Sequence, residues 1–480
     1  MDRRALVREL VAIVGQDGVL ADDYDLLLYQ YDGSIDTARP DVVVLPRSAE
    51  QVVAIVRLAR ERGVPIVARG AGTGLSGGAL AVQGGILLGF ARMNRILEID
   101  LANLRAVVEP GVVNLHLSQA VAHERLQYVP DPSSQKACTI GGNVGENAGG
   151  PHTLAYGVTT NHVLGLEIVT AAGEIVQVGG KALDGPGYDL TGLLVGSEGT
   201  LAVVTKIIVR LAPLPEAVKT LLGVFASVRT ASEAVSRIIG AGIVPAALEM
   251  MDAVTIRAVE EATHFGYPLD AGAVLIIELE GLREALETQA EQIAALCREV
   301  GVLDLRVARD DKERALLWKG RKEAFGALGR ISPEYYVMDG VVPRSRLPEV
   351  LDAITAIAQR YGLTLANVFH AGDGNLHPLL MFDSDDPTAE QRVRAAGAEV
   401  LRVCAAVGGS PTGEHGIGIE KKDLMPLFFD DDDLEAMRRL KRVFDPAERF
   451  NPGKLFPTPG ACGELKTRSV SVASLAGGGW

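Results

Sequence analysis

Three histidines and a glutamate lie in two short glycine-rich stretches of this 480-residue chain. Phe369-His370-Ala-Gly-Asp-Gly-Asn-Leu-His377 places an imidazole on either side of a turn sequence. Gly413-Glu414-His415-Gly-Ile-Gly418 sets a carboxylate beside a third imidazole. The flanks of the first stretch are apolar and strand-like, so a hairpin turn would bring His370 and His377 to one end. Two imidazoles and a carboxylate with open positions suit a divalent zinc, iron or manganese ion. Neutral His415 could take a proton from a substrate hydroxyl near neutral pH, and a metal would lower that hydroxyl's pKa. Only eight histidines occur in the chain and three lie in these two stretches; from spacing alone, capped turns and core hydrogen bonds stand as the alternative to metal binding. An acidic substrate also needs an anchor. Arg321, in Trp318-Lys-Gly-Arg-Lys-Glu-Ala-Phe325, offers a guanidinium fork; with Lys319 and Lys322 it could equally be a solvated helix face.

Two further stretches are built for close approach. The first runs Arg69, Gly70, Ala71, Gly72, Thr73, Gly74, Leu75, Ser76, Gly77, Gly78, Ala79 after an apolar run, with five glycines and no acidic side chain. Successive N–H groups of such a stretch can converge on phosphate oxygens. It lacks the Gly-Lys-Ser/Thr ending of a P-loop. Gly72-x-Gly74-x-x-Gly77 matches the dinucleotide fingerprint in letters, yet no helix is expected after it to hold a pyrophosphate, which speaks against a nicotinamide-dependent enzyme. The second stretch, Pro130-Asp131-Pro-Ser-Ser134 followed by Thr139-Ile-Gly141-Gly142-Asn-Val-Gly-Glu-Asn147-Ala-Gly149-Gly150, reads as a second glycine-rich loop. Two such loops imply a long ligand with more than one phosphate or ring to hold.

Stepping outward, the elements that must carry these stretches can be read from period and punctuation. Residues 2–14 read as an amphipathic helix, Val42–Leu45 as a strand, and Pro46-Arg-Ser-Ala-Glu-Gln as the start of a helix with Ser48 its N-cap, running to about Arg62 and ending at Gly63. Ile86–Gly89, Ile96–Asp100, Ala106–Glu109, Leu164–Thr170, Glu174–Val178 and Ala202–Arg210 read as strands, with Asn114–Glu124 helical and Ala171-Ala-Gly173 a hairpin turn. Pro213 and Pro215 mark a boundary, after which longer helices alternate with strands. Two β-α-β halves of that kind point to a ferredoxin-like antiparallel sheet backed by helices. The chain is expected to turn helical again from Pro411 and to close at Phe450-Asn451-Pro-Gly-Lys454, with 458–480 a disordered tail.

Composition sets the outer limits. The length allows two or three domains, and 48% hydrophobic with 22% charged residues is ordinary for a globular protein. A net charge of −14 with no basic patch argues against nucleic-acid binding. Cys138, Cys297, Cys404 and Cys462 are scattered, giving neither a zinc knuckle, a disulfide framework nor an iron–sulfur site. No apolar run approaches the roughly 18–20 residues of a membrane span, and the expected location is cytoplasmic, peripheral to a membrane only through partners.

Together these motifs make the chain resemble the FAD-linked oxidoreductases of the vanillyl-alcohol-oxidase type, in the D-2-hydroxyacid dehydrogenase branch. The resemblance runs from about Asp22 to Pro457 and also draws on Gly196-Ser-Glu198-Gly199 and Asn451-Pro-Gly-Lys454. It implies an α+β protein: a two-lobed PCMH-type FAD-binding domain over 1–214, a ferredoxin-like cap over 215–410, and a C-terminal segment 411–457 returning to the FAD domain. FAD would be held by the two glycine stretches with Glu198, Gly199 and Asn451. His370, His377 and Glu414 match the metal ligands, His415 the base, and Arg321 with Tyr336 the substrate contacts. Hydride would pass from the substrate C2 to flavin N5. Members with covalent flavin carry a histidine where this chain has Thr73, so the FAD is expected to be noncovalent. Members acting on dicarboxylic acids carry a threonine where this chain has Phe325, so a small acid, glycolate or D-lactate, is expected. Glycolate-oxidising members work with a second flavoprotein subunit and an iron–sulfur subunit. A stand-alone D-lactate dehydrogenase and a noncatalytic flavin-binding subunit are the alternatives.

Overall fold

The computed structural model describes residues 2–182 and 185–458. The expected tail lies outside the described residues apart from Thr458, whose N–H donates to Asp423 Oδ1 at 2.7 Å. The chain forms two units. Of the described residues, one comprises those up to Gly150, Gly157–Leu214 and 414–458; the other comprises Pro151–Tyr156 and Pro215–Gly413.

In the first unit, strands Val42–Val44, Ile86–Gly89 and Ile66–Arg69 pair in parallel, with Val19–Leu20 antiparallel at one edge. The parallel strands are buried apolar runs, as strands covered on both faces must be. Helix Ala49–Arg62 covers them with Val52, Ile55, Val56 and Ala59. It starts where Ser48 Oγ accepts the Gln51 N–H at 3.4 Å, and it ends at Gly63 in the left-handed region. An antiparallel sheet, in the order Ile96–Asp100, Arg105–Val108, Val203–Arg210, Val163–Val169, Ile175–Gly179, forms the second lobe. The C-terminal segment adds to the free edge of the parallel sheet: Ile66 N–H donates to Arg449 O and Asn451 N–H to Ile66 O, both at 2.8 Å. That edge strand leads directly into the first glycine stretch.

The second glycine stretch departs from expectation. It contains a helix, Ile140–Glu146, with Thr139 Oγ1 accepting the Gly142 N–H at 3.1 Å. Glycine and asparagine are poor helix formers, but buried Ile140 and Val144 pack into the lobe's core and outweigh that preference. Between Pro411 and Phe444 the helical expectation is met by a 3₁₀ helix, Lys422–Leu427, and then by the α-helix Asp431–Phe444.

The second unit is one antiparallel sheet in the order Asp304–Val307, Ala217–Phe225, Ala273–Gly281, Ala247–Asp252, Thr364–His370, Pro378–Phe382, Glu334–Val337. The first four strands follow the ferredoxin-like order, with an extra helix, Ala253–Thr263, between Ala247–Asp252 and Ala273–Gly281. The last three repeat it without a fourth strand. The halves join edge to edge where Ala247–Asp252 pairs with Thr364–His370. Side chains alternate between sheet faces, and Ala247, Met251, Val368, Met381 and Val337 share a core with Leu317, Trp318 and Leu328 of helix Asp311–Leu328. By that parity Glu249, His370 and Tyr335 lie on the same face as this helix.

Candidate functional site

Two groups of chemically able side chains emerge, one in each unit. In the second unit, the His370 and His377 rings meet edge to face with centroids 5.0 Å apart. Both are buried, at 4% and 3% exposure. The turn expected between them is present, and their ring nitrogens fall within 4.8 Å. His370 Nδ1 lies 2.7 Å from Glu249 Oε1. A carboxylate only accepts, so Nδ1 carries the hydrogen and Nε2 is the ring's acceptor or ligand atom. Arg321 is 1% exposed and pairs through Nη2 with Glu249 Oε2 at 2.7 Å. It is therefore no solvated helix face. Its Nε is buried without a hydrogen-bond partner among the described residues, a donor that a bound carboxylate would satisfy. Sequence reasoning missed Glu249, which stands between Leu248 and Met250 in the strand Ala247-Leu-Glu-Met-Met-Asp252, where no local pattern marks it.

Tyr336 does not join this group. Its ring packs against Gly397 of helix Ala389–Ala406, and the Arg394 guanidinium lies 5.9 Å from its centroid. Strand alternation turns it to the face away from Arg321. Tyr335 occupies the expected side, with its ring 6.0 Å from Phe325, one helical turn beyond Arg321.

A second cluster in this unit, His152, Glu278 and Glu280, has ligand-like spacing but a different character. Glu278 already accepts from Thr220 at 2.7 Å, Trp318 at 2.5 Å and Arg314 at 3.0 Å. Burial alone would raise its carboxyl, yet the His152 and Arg314 contacts outweigh that and hold it down at about 2. A fixed guanidinium there does the work a cation would do.

In the first unit the two glycine stretches touch. A Cβ placed at Gly70 would fall 2.4 Å from Thr139 Oγ1 and 3.4 Å from Gly142 Cα. Only a residue without a side chain allows the stretches to come together. Arg69 is 6% exposed at the head of the cradle, 5.8 Å from the Tyr29 centroid, with Nη1 lacking a hydrogen-bond partner among the described residues. A buried guanidinium beside a glycine cradle, with the Asp32 carboxylate near enough to act on its charge and a donor to spare at Nη1 among the described residues, fits an anionic pyrophosphate. Gly141 packs on Pro110, and the Pro130 carbonyl accepts from Asn114 at 3.0 Å, which fixes the approach to the second stretch.

Three residues expected to touch the cofactor serve the protein's own backbone. Asn147 Oδ1 accepts from Thr160 N–H at 2.9 Å. Asn451 Nδ2 donates to the carbonyls of Gly78 at 2.8 Å and Glu198 at 2.7 Å. The Glu198 carboxylate accepts from Ile417 N–H at 2.6 Å and Gly418 N–H at 2.8 Å. The three share one cause: buried peptide groups on irregular backbone need partners. Glu198 thereby holds the turn after His415. Ser76, from the first glycine stretch, holds it from the other side through the His415 carbonyl at 2.9 Å and the Ile419 N–H at 3.0 Å. Lys421 Nζ donates to Gly416 O at 3.0 Å. Glu414 and His415 face each other loosely, Oε1 to Nε2 at 3.9 Å.

Beside this turn, Glu146 and Glu198 approach one another around Gly416, whose φ is +84°. A Cβ there would fall 2.2 Å from Glu146 Oε2 and 2.9 Å from Glu198 Oε1. Burial, and then the Glu198 charge, push the Glu146 carboxyl well above its ordinary range; burial also raises Glu198. Burial lowers Lys454 to about 8, and its Nζ donates to Leu80 O at 2.7 Å and Asn451 Oδ1 at 2.8 Å.

Residues 40–179 match the family described as FAD binding domain, and residues 214–455 match that described as FAD linked oxidases, C-terminal domain. The chain belongs to the FAD-linked oxidases. Its cofactor is FAD, so the nicotinamide alternative falls. The chain is 48% identical over 476 residues to the glycolate oxidase subunit GlcD of Escherichia coli K12, covering 99% of this chain and 95% of that one. Identity to the glycolate oxidase subunit GlcD of Bacillus subtilis 168 is 42% over 450 residues, covering 93% and 96%. The 4-ethylphenol oxidase from Gulosibacter chungangensis shares the fold at a TM-score of 0.79 and 20% identity, covering 95% and 98%. As in that PCMH-type fold, this FAD-linked oxidase mixes helices with sheets in both units. No helix among its described residues is long and apolar enough to cross a membrane.

Proposed function

We propose that this FAD-linked oxidase oxidises a small D-2-hydroxyacid, glycolate to glyoxylate foremost, as the catalytic subunit of a glycolate oxidase. One observation carries the reading: a fully buried guanidinium, Arg321, and a buried imidazole pair, His370 and His377, lie on one sheet face of a chain nearly half identical to glycolate oxidase subunits. Arg321 binds the substrate carboxylate, using the Nε donor that has no partner among the described residues. His370, His377 and Glu414 are the residues that would hold a divalent ion; such an ion, when bound, makes a coordinated hydroxyl more acidic. His415 accepts the hydroxyl proton, its position fixed through its own carbonyl by Ser76. FAD, when bound, supplies the two-electron acceptor, and noncovalent binding follows from Thr73. The facing rings of Phe325 and Tyr335 narrow the region beyond Arg321 and favour a two- or three-carbon acid.

On this reading electrons leave through a second flavoprotein subunit and an iron–sulfur subunit, because this chain's scattered cysteines offer no cluster of their own. The protein works in the cytoplasm and reaches the inner membrane only through those partners. The test is an anaerobic visible spectrum before and after glycolate, D-lactate and L-lactate. Bleaching of the flavin band by glycolate or the D-acid alone is expected, and the faster acid names the substrate. A yellow protein that none of them bleaches would overturn the reading. Glu414→Ala separates a noncatalytic flavin subunit from an enzyme: substrate-driven bleaching should be lost.

A further inference from the structure

We propose that Glu249 is a positioning residue that sets both the His370 ring and the Arg321 guanidinium from a single carboxylate. The proposal rests on the reading of His370 and Arg321 given above. Glu249 is 1% exposed in the strand Ala247–Asp252. Its two oxygens have separate tasks: Oε1 faces His370 Nδ1 and Oε2 faces Arg321 Nη2, each at 2.7 Å. The residue faces the apolar core of the sheet. There a hydrophobic side chain usually stabilises as well as an ion pair does. What the carboxylate adds is orientation. It fixes the hydrogen of His370 on Nδ1, so that Nε2 is presented, and it makes that nitrogen a better ligand. It also holds one arm of Arg321 and leaves Nε as the buried donor without a partner among the described residues.

The placement is locked by the sheet. Glu249 and His370 are cross-strand partners on the pair that joins the two half-sheets. Along the same pair, Asp252 Oδ2 accepts both the backbone N–H of Asn367 at 2.8 Å and its side-chain Nδ2 at 3.0 Å. A slip of one residue would throw Glu249 to the opposite face, and the Asp252–Asn367 contacts oppose that slip. One carboxylate thus ties the ligand end of one half-sheet to the anchor arginine, and substrate grip and metal grip are set together.

The experiment compares wild type, Glu249→Gln and His370→Gln as full-length flavin-loaded proteins. Zinc affinity is measured by competition with a chromogenic chelator, and KM and kcat for glycolate are measured separately. Glu249→Gln should weaken zinc binding about 10–100-fold and raise KM for glycolate at unchanged flavin content, since Gln keeps an acceptor for His370 but has no charge to pair with Arg321. Zinc affinity and KM unchanged in Glu249→Gln, with affinity lowered in His370→Gln, would overturn the role of Glu249 alone. Affinity unchanged in both would overturn the metal site together with the proposal. Should Glu249→Gln fail to fold, Glu249→Asp keeps the charge but not the reach to both partners, and carries the same expectations.

Discussion

The Ser76 hydroxyl donates to the main-chain oxygen of His415 at 2.9 Å, across 339 residues of sequence. One residue of the glycine cradle therefore holds the peptide of the proposed base. Ser76→Ala removes this bond and leaves the backbone of the cradle intact. A hydrogen bond of this kind contributes about 1 kcal/mol, so kcat should fall about fivefold at equal flavin content. Unchanged kcat would show that the turn needs no such tether.

Glu198 supports the same turn through two N–H groups. Glu198→Ala leaves both donors buried without an acceptor, at about 1–3 kcal/mol each. Urea unfolding should show a loss of about 2–6 kcal/mol. A midpoint within error of wild type would mean that water replaces the carboxylate.

The Glu146–Glu198 pair gives the flavin-free protein a pH dependence of stability with a definite sign. Burial first, and then Glu198, raise the Glu146 carboxyl from its ordinary value of 4.5. Between that value and the raised one, the folded state binds more protons than the unfolded state. Stability is therefore present at low pH and falls as pH rises through this window. Glu146→Gln should make the decline in Tm above pH 5 shallower and raise Tm at pH 7. A curve parallel to wild type would count against a shared buried charge.

Phe325 closes the space beyond Arg321 against Tyr335. Phe325→Ala should improve kcat/KM for longer 2-hydroxyacids relative to glycolate by at least about tenfold, the scale of one added methylene in a fitted pocket. Equal loss for every acid would place the wall elsewhere.

With Thr73 where a flavin-linking histidine would stand, acid precipitation should release the yellow colour into the supernatant. Colour retained in the washed pellet would reveal a covalent bond.

The sequence alone determined the elements whose signals are local. Ser48 and Gly63 bracket their helix, the apolar runs around Val43 and Leu87 became buried strands, and the two glycine stretches, with no Cβ to hold other backbones away, came into contact. The two-histidine turn was legible because a hairpin needs only its flanks and its glycines. Tertiary structure decided what depends on partners distant in the chain. Ile140–Glu146 became a helix because its two large apolar residues found a core, which no helix propensity reports. Tyr336 and Tyr335 are adjacent in sequence and similar in chemistry; only the pairing of their strand decided which of them shares the face of Arg321. Glu198 and Asn451 also bond buried peptide groups of the turn after His415 and of Gly78, a demand that exists only once irregular backbone is folded away from water. Glu249 was invisible among apolar neighbours because its meaning lies in two residues, 72 and 121 positions further along the chain, that the sheet and its helix bring to its two oxygens.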